Sequence, residues 1–96
     1  MTGRWSWEYN PDFAQVAGGL PPDVVKEVER LADQLVELGD MGVDLTDLNE
    51  SRSRRGLCQM KFTSGGYASP GWFHFLPAEG IQLIAIVKIV PPFEAL

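Results

Sequence analysis

The chain is poor in the residues that build disulfide frameworks and metal centres. It has one cysteine, Cys58, and one histidine, His74, among 96 residues, which excludes an internal disulfide and any multi-cysteine or histidine-rich metal site. It also has no run of 18 apolar residues and no N-terminal apolar stretch of signal-peptide type. We therefore expect a cytoplasmic protein with no metal, no cofactor and no membrane segment.

What is present is the composition of a small globular protein. Apolar residues make up 45% of the chain and charged residues 22%, which is the range of folded rather than disordered sequences. A chain of this length builds one hydrophobic core. We therefore expect a single domain over residues 1–96.

Charge is unevenly distributed along the chain. Residues 1–50 carry three basic and eleven acidic side chains, a net charge of −8, whereas residues 51–96 carry five basic and two acidic ones, a net charge of +3. An evenly acidic surface would repel nucleic acid, but a divided one can present a basic face to phosphate groups. The simpler interpretation is an acidic, solvated helix beside a mildly basic sheet.

The N-terminal residues predict a strand followed by a short helix. Trp5, Trp7 and Tyr9 alternate with polar residues, which indicates a half-buried strand with the three rings on one face. Residues 11–17 predict a short helix, with Asn10 as its N-cap and a proline in its first turn.

Residues 22–38 predict an amphipathic helix with one broad apolar face. Apolar side chains recur there every three or four residues: Val24, Val28, Leu31, Leu35 and Leu38. We expect this face to pack on a sheet and Gly39 to end the helix.

Residues 39–56 predict an irregular loop that ends in a flexible basic stretch at 51–56. Four apolar side chains are expected to attach this loop to the core: Met41, Val43, Leu45 and Leu48.

Three strands are predicted over residues 57–63, 72–76 and 81–90, separated by segments rich in glycine and proline. The first strand places Cys58, Met60 and Phe62 on one face, where Cys58 is interpreted as a buried core residue. The third strand is apolar on both faces, which indicates a central position. Strict alternation divides its side chains into Leu83, Ala85, Val87 and Ile89 on one face and Ile84, Ile86 and Val90 on the other.

These elements predict the α+β class. The N-terminal strand and one or two helices precede a three-stranded antiparallel meander, and the helices pack on one face of a single sheet.

Three residues of the C-terminal strands are candidates for a catalytic site: Lys61, His74 and Lys88. If they share the sheet face opposite the helix, the lysines can hold a phosphodiester and stabilise charge on a transferring phosphate. His74 can exchange a proton near neutral pH. Candidate RNA-binding residues are Arg52, Arg54, Arg55, Tyr67 and Trp72, the last two by stacking on bases.

Each of these residues also has a purely structural interpretation. Taken separately, His74 is better explained as a hydrogen-bonded, half-buried strand residue, and Trp72 by simple packing. Lys61 and Lys88, taken separately, are better explained as solvated lysines on a strand edge. Only their arrangement in three dimensions separates the two interpretations.

Several short segments resemble the RelE/HigB-type toxins of bacterial type II toxin–antitoxin modules, within the RelE/ParE superfamily. Residues 9–13 and Gly19-Leu20-Pro21 are similar to that family's opening strand, its helix start and the break before its second helix. Residues 55–62, 71–76 and 81–88 are similar to its three later strands. The similarity is one of pattern and covers most of the chain.

The resemblance implies a RelE-like fold and a ribosome-dependent messenger-RNA endonuclease that a cognate antitoxin neutralises by forming a hetero-oligomer. It places Lys61 at the family's strand arginine, His74 at a tyrosine and Lys88 at the first of two lysines. The chain differs from the family pattern at Gly71, where the family has an arginine, and after the last strand, where a basic tail is replaced by residues 89–94.

Two further classes of function stay open from the sequence. One is a binding module without catalysis, either a ParE-like gyrase inhibitor or a degenerate toxin that only binds its antitoxin. The other is a plain scaffold domain.

Overall fold

The computed structural model describes residues 4–48, 57–63 and 66–95. Within them, single turns of 3₁₀ helix at Leu45–Leu48 and Phe93–Ala95 accompany four strands and two helices. These are β1 Ser6–Tyr9, α1 Phe13–Val16, α2 Pro22–Asp40, β2 Cys58–Phe62, β3 Gly71–Ala78 and β4 Leu83–Val90. The predicted basic stretch 51–56 lies outside the described residues.

The four strands form one mixed sheet in the order β1-β4-β3-β2. Strands β2, β3 and β4 form the predicted antiparallel meander, and β4 is interior, as its two apolar faces indicated. Strand β1 pairs with β4 in parallel, with Trp7 opposite Ile84 and Tyr9 opposite Ile86. The α+β class and the placement of the helical layer on one face of a single sheet are confirmed.

Helix α2 supplies most of that helical layer. Its fully buried side chains are Val24, Val28, Ala32 and Leu35. They share one core with the sheet residues Phe73, Phe75, Ile84 and Ile86. Burying each side chain of this size contributes about 1.5–3 kcal/mol to folding. No helix among the described residues combines the length and the apolar character needed to cross a membrane.

The prediction that Gly39 ends this helix is wrong, because α2 continues to Asp40. Gly39 is buried beneath the indole of Trp5, and a Cβ at this position would lie 2.8 Å from the ring carbon Cδ2. The glycine therefore serves close packing between α2 and the start of β1.

The predicted N-cap of the first helix is also wrong. The amide of Asn10 donates to the carbonyl of Ile86 at 2.9 Å and so extends the β1–β4 ladder. The cap is Asp12, whose Oδ1 accepts from the amide of Gln15 at 2.9 Å. Helix α1, which begins after this cap, is only four residues long.

Only part of the loop after α2 reaches the core. Leu45 is fully buried, as predicted, but Met41 is 74% exposed and Val43 is exposed. The chain turns at Gly42, with φ 89°, and the carboxylate of Asp44 then accepts from the hydroxyl of Thr46 at 2.6 Å. Of Met41, Val43 and Leu45, this turn directs only Leu45 into the core. The side chain of Leu48 lies outside the described part.

An irregularity between β3 and β4 changes the faces that strict alternation predicted. Phe75 pairs with Ile86, but His74 pairs with Lys88 and Phe73 with Ile89, so one extra residue is inserted at Val87. This β-bulge places Ile89 in the core, 7% exposed, and Lys88 outside it. The predicted face of Ile89 is therefore wrong, and so is that of Val90, which lies opposite Trp72 away from the helix.

We expect Leu35→Ala to lower the free energy of unfolding by about 2–5 kcal/mol, because it empties a fully enclosed site between α2 and the sheet. Met41→Ala, at a 74% exposed position, is the control and should change it by less than about 0.5 kcal/mol. Urea denaturation measures both values. Equal effects of the two substitutions would contradict the assigned core.

Candidate nucleic-acid interface

The sheet has one face that neither α1 nor α2 covers, which we call the open face. Residues of both helices belong to the core on the other side. The strand registers place on the open face Ser6, Glu8, Gln59, Lys61, Trp72, His74, Leu76, Leu83, Ala85, Lys88 and Val90. Its apolar members are half-buried and Lys61 and Lys88 are exposed, so the surface combines apolar area with positive charge.

The three predicted catalytic residues lie together on this face. Gln59, His74 and Lys88 are direct partners across β2, β3 and β4, and such neighbours have Cβ atoms about 4.5–5.5 Å apart. Lys61 lies in the adjoining row, opposite Trp72. Diagonal neighbours of this kind are about 7–8 Å apart, within reach of long side chains. A single phosphodiester can therefore contact His74 and both lysines.

The surroundings of His74 favour the neutral form of its imidazole. Partial burial lowers its pKa, and the positive charge of Lys88 lowers it further. Among the described strand residues, the other charged groups on this face are Lys61 on β2 and Glu8 on β1, two strands from His74. Near pH 7 the imidazole is thus able to accept a proton.

Neither lysine of the open face is neutralised by a described carboxylate. Among the described residues, the single ion pair within 4 Å joins Arg30 to Glu27 on α2. The ammonium of Lys61 instead lies 5.8 Å from the centroid of the Trp72 ring. Both positive charges are therefore available to an anion.

Tyr67, another predicted RNA-binding residue, does not join this group. It lies near Asp23 at the start of α2 and packs against the core, so it belongs with the helical layer. Desolvation and Asp23 raise the pKa of Tyr67. Arg52, Arg54 and Arg55 lie outside the described residues.

Gly71 lies where the sequence resemblance led us to expect an arginine, and its surroundings on β3 do not admit one. This glycine is buried opposite Phe62, on the helix side of the sheet. A methyl group there would overlap the ring of Phe62, whose Cε1 and Cε2 would lie 2.8 and 2.9 Å away. A long cationic side chain at this position would enter the core rather than the open face.

Sequence reasoning did not assign Glu8 to this surface. The alternation of β1 places Glu8 on the face opposite to the half-buried aromatic rings, but only the parallel pairing with β4 sets it beside Ala85 on the open face. The sequence therefore indicated the strand face on which Glu8 lies, but it did not indicate the strand with which β1 pairs.

A scan of protein-family models and searches of curated proteins and of solved structures find no match to this chain. The described residues contain no group of three histidine, cysteine or acidic side chains that could hold a metal ion. The open face is therefore the feature of this chain from which a function can be inferred.

We expect the pKa of His74 to lie below that of a free histidine and to rise in Lys88→Met, because this variant removes the repulsive charge but not the burial. Proton NMR measures it directly, since the chain has a single histidine. Lys26→Met, on the outer face of α2, is the matched control and should leave the value unchanged.

The same shift predicts how stability depends on pH. A histidine with a depressed folded-state pKa binds protons more readily when unfolded, so its effect on stability is nil above about pH 6.5 and destabilising as the pH falls below that value. His74→Gln should remove this part of the acid sensitivity. An unchanged pH profile of the unfolding free energy in His74→Gln would contradict the assignment.

Proposed function

We propose that this chain is a RelE-like toxin, a ribosome-dependent messenger-RNA endonuclease that a cognate antitoxin neutralises. The observation that carries the proposal is the cross-strand alignment of His74 with Lys88, with Lys61 in the next row of the same open face. It supplies a neutral proton acceptor between two exposed ammonium groups. This combination suits the cleavage of an RNA phosphodiester.

The reaction needs one proton acceptor and a stabilised phosphate. The imidazole of His74 takes the proton of a ribose 2′-hydroxyl, whose oxygen attacks the adjacent phosphorus. The bond from phosphorus to the 5′-oxygen breaks, solvent protonates that oxygen, and a 2′,3′-cyclic phosphate remains. Lys61 and Lys88 hold the non-bridging oxygens, on which charge develops in the transition state.

The distribution of acidic side chains supports a nucleic-acid ligand despite the net charge of −5. Six acids lie on α2, in the layer opposite the open face: Asp23, Glu27, Glu29, Asp33, Glu37 and Asp40. Asp33 accepts a hydrogen bond from Trp7 Nε1 at 2.9 Å, and Glu29 one from the Tyr9 hydroxyl at 2.8 Å. Much of the negative charge thus belongs to the helical layer, so it does not screen the lysines.

The same face suits a protein partner that competes with RNA. Half-buried Val90 and Leu76 lie in the two rows beside that of Lys88, and half-buried Leu83 lies one row further along the same face. An acidic segment with apolar side chains would therefore satisfy both kinds of surface. We assign this role to the antitoxin.

Translation-dependent cleavage of messenger RNA tests the nuclease. We expect His74→Ala to lower the cleavage rate by about 10²–10⁴ because the proton acceptor is lost. Lys88→Met should lower it by about 10²–10³, because one stabilising charge is lost. Lys26→Met removes the same charge from α2 and should cleave like the wild type. Circular dichroism checks that each variant folds.

Two outcomes would contradict this function. Full activity in folded His74→Ala and Lys88→Met would show that these two residues do not form the catalytic site. Growth arrest by a wild-type protein that never cleaves RNA would replace the nuclease by a non-nucleolytic inhibitor of the ParE kind.

Expression in bacteria tests the toxin and its partner. The wild-type chain alone should slow growth, and co-expression of the neighbouring open reading frame should restore it, because the antitoxin covers the open face. Lys61→Glu combined with Lys88→Glu should abolish co-purification with that product by reversing the charge. Co-purification that survives this reversal would place the antitoxin elsewhere on the chain.

A further inference from the structure

The indole of Trp72 has a neighbour that changes its expected role. Lys61 and Trp72 are direct partners across β2 and β3, and the Lys61 ammonium lies over the ring at 5.8 Å from its centroid. This distance is within the range of a cation–π contact. The ring face that a base would need for stacking is therefore occupied by a cation.

The side chain of Trp72 has less conformational freedom than that of Lys61. Trp72 is half-buried and lies between Lys61 on β2 and Val90 on β4, in the interior of the sheet. Lys61 is exposed, on a four-carbon stem with many rotamers. No described carboxylate lies within 4 Å of its ammonium to hold it in place. Among the described residues, the indole is the group that restricts where this charge lies.

We propose that Trp72 is a positioning residue, which holds the Lys61 ammonium beside His74 and Lys88 rather than stacking on a base. This inference rests on the proposed function for the ligand, a phosphodiester, but the contact between Trp72 and Lys61 exists without it. When a phosphate binds, the ammonium is already on the face where the negative charge arrives. Less conformational freedom is then lost on binding.

A first measurement examines the contact without any RNA. Ring current from the indole should shift the ε-methylene protons of Lys61 upfield in the wild-type NMR spectrum, and Lys88 serves as the internal reference. The shift should persist in part in Trp72→Phe, which keeps an aromatic face, and vanish in Trp72→Leu. Wild-type Lys61 protons at the position of Lys88 would overturn the proposal.

A second measurement separates positioning from stacking. The probe is a single-stranded oligoribonucleotide with 2′-O-methyl groups, which cannot be cleaved by attack of the 2′-oxygen. We expect Trp72→Leu to weaken its binding about two- to fivefold, as for an exposed cation–π contact. Trp72→Phe should restore part of the loss. In a Lys61→Met background, Trp72→Leu should have no further effect.

Direct stacking gives a different result. A base stacked on the indole is worth about five- to 150-fold in affinity, and this loss would persist in the Lys61→Met background, which would overturn the proposal. If the wild-type chain does not bind the free oligonucleotide, the translation-dependent cleavage assay decides the proposed function. The NMR shift of Lys61 would then decide alone whether Trp72 holds the lysine.

Discussion

A lysine ammonium cannot be buried beneath a helix without a partner, and strand β4 is shaped by that constraint. Continued alternation from Ile84 and Ile86 would direct Lys88 toward α2, where an unpaired charge costs several kcal/mol, by the general magnitude for buried ions. The bulge at Val87 shifts the register by one residue, so that Ile89 fills the core and Lys88 faces outward beside His74. The candidate site exists because of this shift.

The packing of the helices on only one face of the sheet also determines where the charged side chains lie. Helix α2 packs on one face of the sheet and is tied to β1 by hydrogen bonds from Trp7 to Asp33 and from Tyr9 to Glu29. Burial, together with the carboxylate of Glu29, raises the pKa of Tyr9. These acids are therefore engaged with their own layer. Among the described residues, the six acids of α2 thus lie on one side of the sheet, whereas Lys61 and Lys88, together with Glu8, lie on the other.

Sequence patterns determine most of the fold because they follow from local geometry. The 3.6-residue period of α2 and the two-residue period of β2 and β3 predict which side chains enter the core, and Val28, Leu35, Phe73 and Phe75 are buried accordingly. The errors fall where a tertiary contact overrides a local preference. Asn10 is a good N-cap in isolation but is used by the ladder to Ile86, and Gly39 is a good helix stop but is packed under Trp5.

The candidate site, like the fold, could be predicted only in part from the sequence. The sequence by itself determined that β2, β3 and β4 carry Lys61, His74 and Lys88, and that His74 alternates away from Phe73 and Phe75. Only the tertiary structure decided that Lys88 faces the same side, that Tyr67 belongs with Asp23 and the helical layer, and that the Lys61 ammonium lies over Trp72. Alternation is a property of one strand. Register, bulges and partner strands depend on contacts between distant residues, which a local pattern does not contain.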